Sequence, residues 1–140
     1  MMNQEVRQIM NANPDTASPD QNVTDLSYQM LTKGLQQMPV VEEGKLLGMV
    51  TTYDLWKKYE NRTTLADLKV RDVMNSKVIK ITPVDKVGTA AELFADKRFK
   101  TLPVVNLEND LKGVVTAFDI IKVAFNEEYD SKILYKKEFE

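Results

Sequence analysis

Two short patterns in this chain carry residues able to do chemistry: Thr51-Thr52-Tyr53-Asp54 and Thr116-Ala117-Phe118-Asp119, each with a Thr three residues ahead of an Asp. A carboxylate in the first turn of a helix is favoured by the helix dipole and can accept hydrogen bonds from two adjacent hydroxyls, such as those of a sugar cis-diol. The Thr adds a hydroxyl, and the unpaired N–H groups at a helix start are donors suited to phosphate. A purely structural explanation exists for the same residues, because Thr is a routine helix cap and Asp a routine first-turn residue. Both explanations stand on these residues alone.

Other chemistry is scarce. Zero Cys among 140 residues excludes disulfides, thiolate metal sites and thiol catalysis, and zero His removes the commonest general base and transition-metal ligand together. Neither a G-x-G-x-x-G pattern nor a Gly-rich phosphate loop occurs, with only 5 Gly in the chain. Glu42-Glu43 and Glu127-Glu128 fall in an expected turn and tail, where solvated charge accounts for them. An enzyme is therefore not expected, and no cofactor or metal is required. A net charge of -2 gives no basic field for nucleic acid or an anionic membrane. Without a long apolar run or an apolar N-terminal leader, a cytoplasmic location is expected.

The elements that must position the two Thr–Asp pairs come as a repeat. Val6-Arg7-x-x-Met10-Asn11 recurs as Val70-Arg71-x-x-Met74-Asn75, and Pro39-Val40-Val41 recurs as Pro103-Val104-Val105, both at a shift of 64 (70 − 6 and 103 − 39). Past the following turn the shift is 65, pairing Gly48 with Gly113 and Asp54 with Asp119, so one residue is inserted in that turn. Residues 5–11 suggest a short helix or turn, and 14–18 and 78–82 extended strands, the second rich in β-branched residues. Val23, Leu26, Met30 and Leu31 recur at helical spacing before Gly34, a C-terminal cap, as do Val87, Ala90, Ala91 and Phe94. Residues 38–41 and 46–50 predict a hairpin, and Thr51 or Thr52 then caps a helix over 54–59. Met30, Met38 and Met49 fall at core positions. Each copy thus predicts strand, helix, strand, strand, helix. Copies of this size sit near the lower limit for a self-sufficient core, so one α/β globule with approximate internal twofold symmetry is expected.

With these motifs in place, the chain resembles the tandem cystathionine-β-synthase-type (CBS) domain pair, also called a Bateman module. The resemblance rests on the V-R-x-x-M openings, Ser18-Pro19 and Thr82-Pro83, the Met38-Pro-Val-Val and Leu102-Pro-Val-Val strands, and the Gly-x-Val-Thr-x-x-Asp closings. It implies a β-α-β-β-α fold per repeat, with repeat one and its lead at 1–62, a linker turn and repeat two at 63–125, and a helical extension or tail at 126–140. It further implies a stand-alone, non-catalytic regulatory module that binds AMP, ADP, ATP or S-adenosylmethionine in clefts between the repeats, forms a flat homodimer through its helices, and signals to a separate protein. A scaffold whose clefts bind no nucleotide is the alternative.

In the family the matching Asp holds ribose and the Ser or Thr lies near phosphate. Arg or His often meets phosphate just before the strand Pro, where this chain has Gln36-Gln37 and Lys100-Thr101. Beside each cleft the extended segment offers Val78, Ile79 and Ile81 in copy two, but Pro14, Asp15, Thr16 and Ala17 in copy one. Grouping residues by copy makes Ile79, Ile81, Lys100, Thr116 and Asp119 the stronger site and Thr16, Gln36, Thr51 and Asp54 the weaker. Trp56 and Tyr59 are expected on the dimer face.

Overall fold

The computed structural model describes residues 2–61, 65–97 and 100–128; residues 62–64 of the expected linker and 129–140 of the expected tail lie outside the described residues. A 3-10 turn at Val6–Gln8 leads through an extended segment to α1 (Val23–Lys33), β1 (Gln37–Glu42), β2 (Lys45–Thr51) and α2 (Thr52–Glu60). The second repeat runs from a 3-10 turn at Leu65–Asp67 through α3 (Val70–Val73) and an extended segment to α4 (Val87–Lys97), β3 (Thr101–Val105), β4 (Leu111–Thr116) and α5 (Ala117–Glu128).

Helix α1 shows how the local sequence sets the boundaries. Asn22 accepts a hydrogen bond from the Thr24 amide at 2.8 Å, and Gly34 ends the helix in the left-handed region at φ 65. Val23, Leu26 and Met30 are buried, whereas Leu31, expected with them, lies on the other side at 81% exposure. Met30, Met38 and Met49 are core residues, as the periodicity predicts. Each fully buried Val, Leu or Met side chain contributes roughly 1.5–3 kcal/mol to folding.

Strands β1 and β2 form one antiparallel hairpin, and β3 and β4 another; both shift register at the second Val of Pro-Val-Val. The extended segments expected as first strands add only one bridge each, Ala17 to Val40 and Ile81 to Val104, both parallel. Ala17 N–H donates to the Pro39 carbonyl and the Ala17 carbonyl accepts from Val41 N–H, both at 2.8 Å; Ile81 pairs in the same way with Pro103 at 3.1 Å and Val105 at 2.8 Å. The next rung would need the amide N–H of Pro39 or Pro103, which proline lacks, so the ladder stops after one residue.

The two cores do not follow the division of the chain between residues 62 and 63. Val70 and Val73 belong to the core formed by Val23, Leu26, Met30, Met38 and Val50, while Val6 belongs to the core formed by Ile81, Val87, Leu102 and Val115. The lead of each repeat therefore packs on the other. Backbone bonds fix this exchange: Val6 N–H to the Asp85 carbonyl at 2.8 Å in one half, Val70 N–H to the Gln21 carbonyl at 2.9 Å in the other. At the hairpin tips the halves are also joined directly, by Leu46 N–H to the Asn109 carbonyl at 3.0 Å and Leu111 N–H to the Gly44 carbonyl at 2.9 Å.

Candidate functional site

Gly48 and Gly113 create the space that brings the leads onto the hairpins. A Cβ at Gly48 would meet the Asn75 carbonyl oxygen at 2.4 Å, and one at Gly113 the Asn11 carbonyl oxygen at 2.6 Å. Close approach lets Asn75 exchange both backbone hydrogen bonds with Met49, at 2.9 and 2.8 Å, and Asn11 do the same with Val114, at 2.9 and 3.0 Å. The segment 75–81 therefore starts beside β2 of the first repeat and ends beside β3 of the second. It crosses the space between the repeats.

That crossing forms a cleft of about 180 Å³. One wall is Met49, Thr51 and Asp54 from the β2–α2 junction; the other is Asn75, Lys77, Val78 and Ile79 from the crossing segment; Gln37, Thr101 and Pro103 close it. Thr51 Oγ1 accepts from the Asp54 amide at 3.1 Å, and Asp54 Oδ2 accepts from the Thr51 amide at 3.0 Å and from the Thr51 hydroxyl at 2.9 Å. This reciprocal box fixes the start of α2 and the orientation of the carboxylate. Both incoming bonds end on Oδ2, so Oδ1 keeps its acceptor capacity for a molecule in the cleft. Opposite it, Val78 is half-buried and Ile79 is 40% exposed, an apolar edge whose Ile79 carbonyl has no ladder partner because Pro103 lacks an N–H.

Among the described lining residues Lys77 is the one cation and Asp54 the one anion. The Lys77 amide donates to Asn75 Oδ1 at 3.0 Å, a tight local turn that fixes where its side chain leaves the backbone.

The grouping of site residues by copy is not what the chain adopts. Ile79 lines the cleft with Thr51 and Asp54, not with Thr116 and Asp119, because segment 75–81 crosses between the repeats. Ile81 is 3% exposed and packs in the second core. Lys100 and Gln36, expected at different sites, share a hydrogen bond from Nζ to Oε1 at 3.0 Å. Thr16 is exposed. Thr116 and Asp119 repeat the box at the start of α5, with the Thr116 amide on Asp119 Oδ2 at 2.8 Å and the Asp119 amide on Thr116 Oγ1 at 3.2 Å. The repeat shifts put Asn13, Pro14 and Asp15 opposite that second pair, and Asn13 N–H on Asn11 Oδ1 at 3.0 Å reproduces the Lys77 turn.

Sequence reading missed Lys77, Asn75 and the closing role of Gln37. Lys77 resembles any solvated charge near Lys80, and only knowledge that its segment crosses to the other repeat gives it a place in a cleft. No helix among the described residues is long and apolar enough to cross a membrane, and no group of three or more Asp or Glu there could hold a metal ion.

Comparison with known proteins agrees with this architecture. A relative from Methanocaldococcus jannaschii, the uncharacterized protein MJ1404, is 32% identical over 123 residues, covering 87% of this chain but only 29% of its own length. The chain likewise spans less than half of two other relatives from that organism, 42% and 44%. Among solved structures, CBSX2 of Arabidopsis thaliana in complex with AMP superposes with a TM-score of 0.79 at 23% identity, covering 89% of this chain and 98% of that one. The CBS domain pair of MJ0100 in complex with 5′-methylthioadenosine and S-adenosyl-L-methionine gives 0.76 at 22% identity, covering 89% and 98%. These likenesses support the fold. The family model for the CBS domain matches residues 6–55 and again 70–126, and the chain belongs to the CBS domain family.

Proposed function

We propose that this chain is a non-catalytic regulatory module that binds an adenosine-containing ligand between its two repeats. The observation that carries this is the cleft in which Thr51 and Asp54 face Val78 and Ile79. A purine fits against the apolar edge, with free backbone groups for its polar atoms, and Asp54 Oδ1 accepts from a ribose hydroxyl. At about 180 Å³ the cleft is smaller than the roughly 300 Å³ at which ligand pockets usually begin, so it encloses the nucleoside and leaves phosphates or a sulfonium tail toward its mouth. CBSX2 with AMP and MJ0100 with S-adenosyl-L-methionine are similar folds holding ligands of this class.

Binding would act through linkage. A ligand favouring one packing of the repeats shifts that equilibrium by its differential affinity, and a bound partner protein reads the shift. A homodimer through α2 and α5 and a cytoplasmic location belong to the same proposal.

A second reading, a scaffold with clefts that bind no nucleotide, draws on one observation: both Thr–Asp pairs already satisfy each other as helix caps. Thermal-shift titration with AMP, ADP, ATP and S-adenosylmethionine separates the two, since binding to the native state raises Tm by mass action. A shift that Asp54→Ala abolishes and Asp119→Ala leaves largely intact is expected. No shift at millimolar ligand would favour the scaffold.

A further inference from the structure

We propose that the two clefts are not equivalent: the Asp54 cleft takes a nucleoside monophosphate, with Lys77 selecting for the phosphate, and the Asp119 side takes none. This rests on the adenosine-binding reading above and deepens it by naming the charge of the ligand and the stoichiometry.

Charge is the first argument. Among the described residues that line the Asp54 cleft, the only anion is Asp54, with one face suited to hydroxyls, and the only cation is Lys77. The Lys77 side chain has no ion-pair or hydrogen-bond partner among the described residues, whereas Lys33, Lys45 and Lys100 are each engaged elsewhere. One free ammonium complements one phosphate; a triphosphate would leave most of its charge unmatched beside Asp54.

The repeat supplies an internal comparison. At the shift of 64, Lys77-Val78-Ile79 is replaced by Asn13-Pro14-Asp15. Asn13 removes the cation, and Asp15 sets a carboxylate where Ile79 offers an apolar edge, engaged with Lys33 at 2.7 Å. Pro14 lacks the N–H that Val78 carries, so a purine loses a donor there as well. Three changes act together against an anionic nucleoside on the second side, although its Thr116–Asp119 box is intact.

Calorimetric titration of the full chain with adenosine and with AMP tests this. One AMP per chain is expected, bound about tenfold tighter than adenosine, as one screened charge-assisted contact gives. Lys77→Gln should bring AMP affinity down to that of adenosine, and raised salt should weaken AMP but not adenosine. Two equivalents of AMP, or an AMP preference that survives Lys77→Gln, would overturn the proposal while leaving adenosine binding in place. Failure of both compounds to bind would overturn it together with the reading on which it rests.

Discussion

At Gly48 the absence of a side chain decides a contact that the rest of the cleft depends on. An added Cβ would lie 2.4 Å from the Asn75 carbonyl oxygen, which is backbone held by two hydrogen bonds and cannot swing aside. Gly48→Ala should therefore cost about 1–3 kcal/mol, the usual range for overpacking, and lower the denaturation midpoint. Gly88→Ala is the contrast: its Cβ would meet Met2 at 3.4 Å, within helix α4, and Ala is the better helix former, so that variant should be neutral or slightly stabilised in the same denaturant titration. Equal losses at both positions would show that the missing side chain at Gly48 has no special consequence for this contact. At this scale the sequence is readable where a residue's role is local. Thr51 caps three residues away and Gly34 stops its own helix, so both are visible in spacing. Lys77 is not, because its neighbours in space, Thr51 and Asp54, lie more than twenty positions away in the chain.

Among the elements, the crossing segments matter most, and they are the least regular. Repeated motifs reveal the hairpins and helices because hydrophobic period and turn residues act over a few positions. They do not reveal which repeat a lead packs on, since Val6 and Val70 present the same apolar side chain to either core. The exchange yields a prediction that the order of the chain would not suggest. Val6 is fully buried among Ile81, Val87, Leu102 and Val115, so Val6→Ala in the first repeat's lead should remove about 2 kcal/mol from the second repeat's core. Hydrogen exchange should then show amides of α4, β3 and β4 losing protection before those of α1, β1 and β2. Earlier loss in the first hairpin would contradict the exchanged packing.

For the whole molecule, what holds the halves together is split between the exchanged leads and the hairpin tips. At the tips Lys45 Nζ lies 2.7 Å from Asp110 Oδ1 and donates to the Glu108 carbonyl at 3.0 Å, while Asn109 Nδ2 donates to the Leu46 carbonyl at 2.7 Å. The hydrogen bond from Lys45, then that from Asn106, holds the Asp110 carboxyl below its ordinary value of 3.8. A depressed carboxylate contributes stability above its unfolded pKa and loses it as pH falls through the folded one, so the tip contact should loosen only in acid, below about pH 4. Because the group is at the surface, Asp110→Asn should reduce the acid dependence of Tm slightly and leave neutral stability nearly unchanged.

The closing helices leave more unaccounted for. On α2 Tyr53, Trp56 and Tyr59 are 65%, 56% and 63% exposed, and on α5 Phe118 and Ile121 are 64% and 61% exposed. Part of that area is self-covered, with Trp56 and Tyr59 rings 5.9 Å apart and Lys57 5.5 Å from the Tyr53 ring, but exposed apolar surface on both closing helices is the pattern of an interface. Because both repeats end in such a helix, a second copy can meet both at once, and the pair of contacts forms only if the internal symmetry is intact. Sedimentation should give a dimer mass for the native chain, and Trp56→Ala, which removes the largest ring, should shift the population toward monomer with the fold retained by circular dichroism. A variant that keeps the dimer mass would move the interface off α2, and the exposed aromatics would then need another partner.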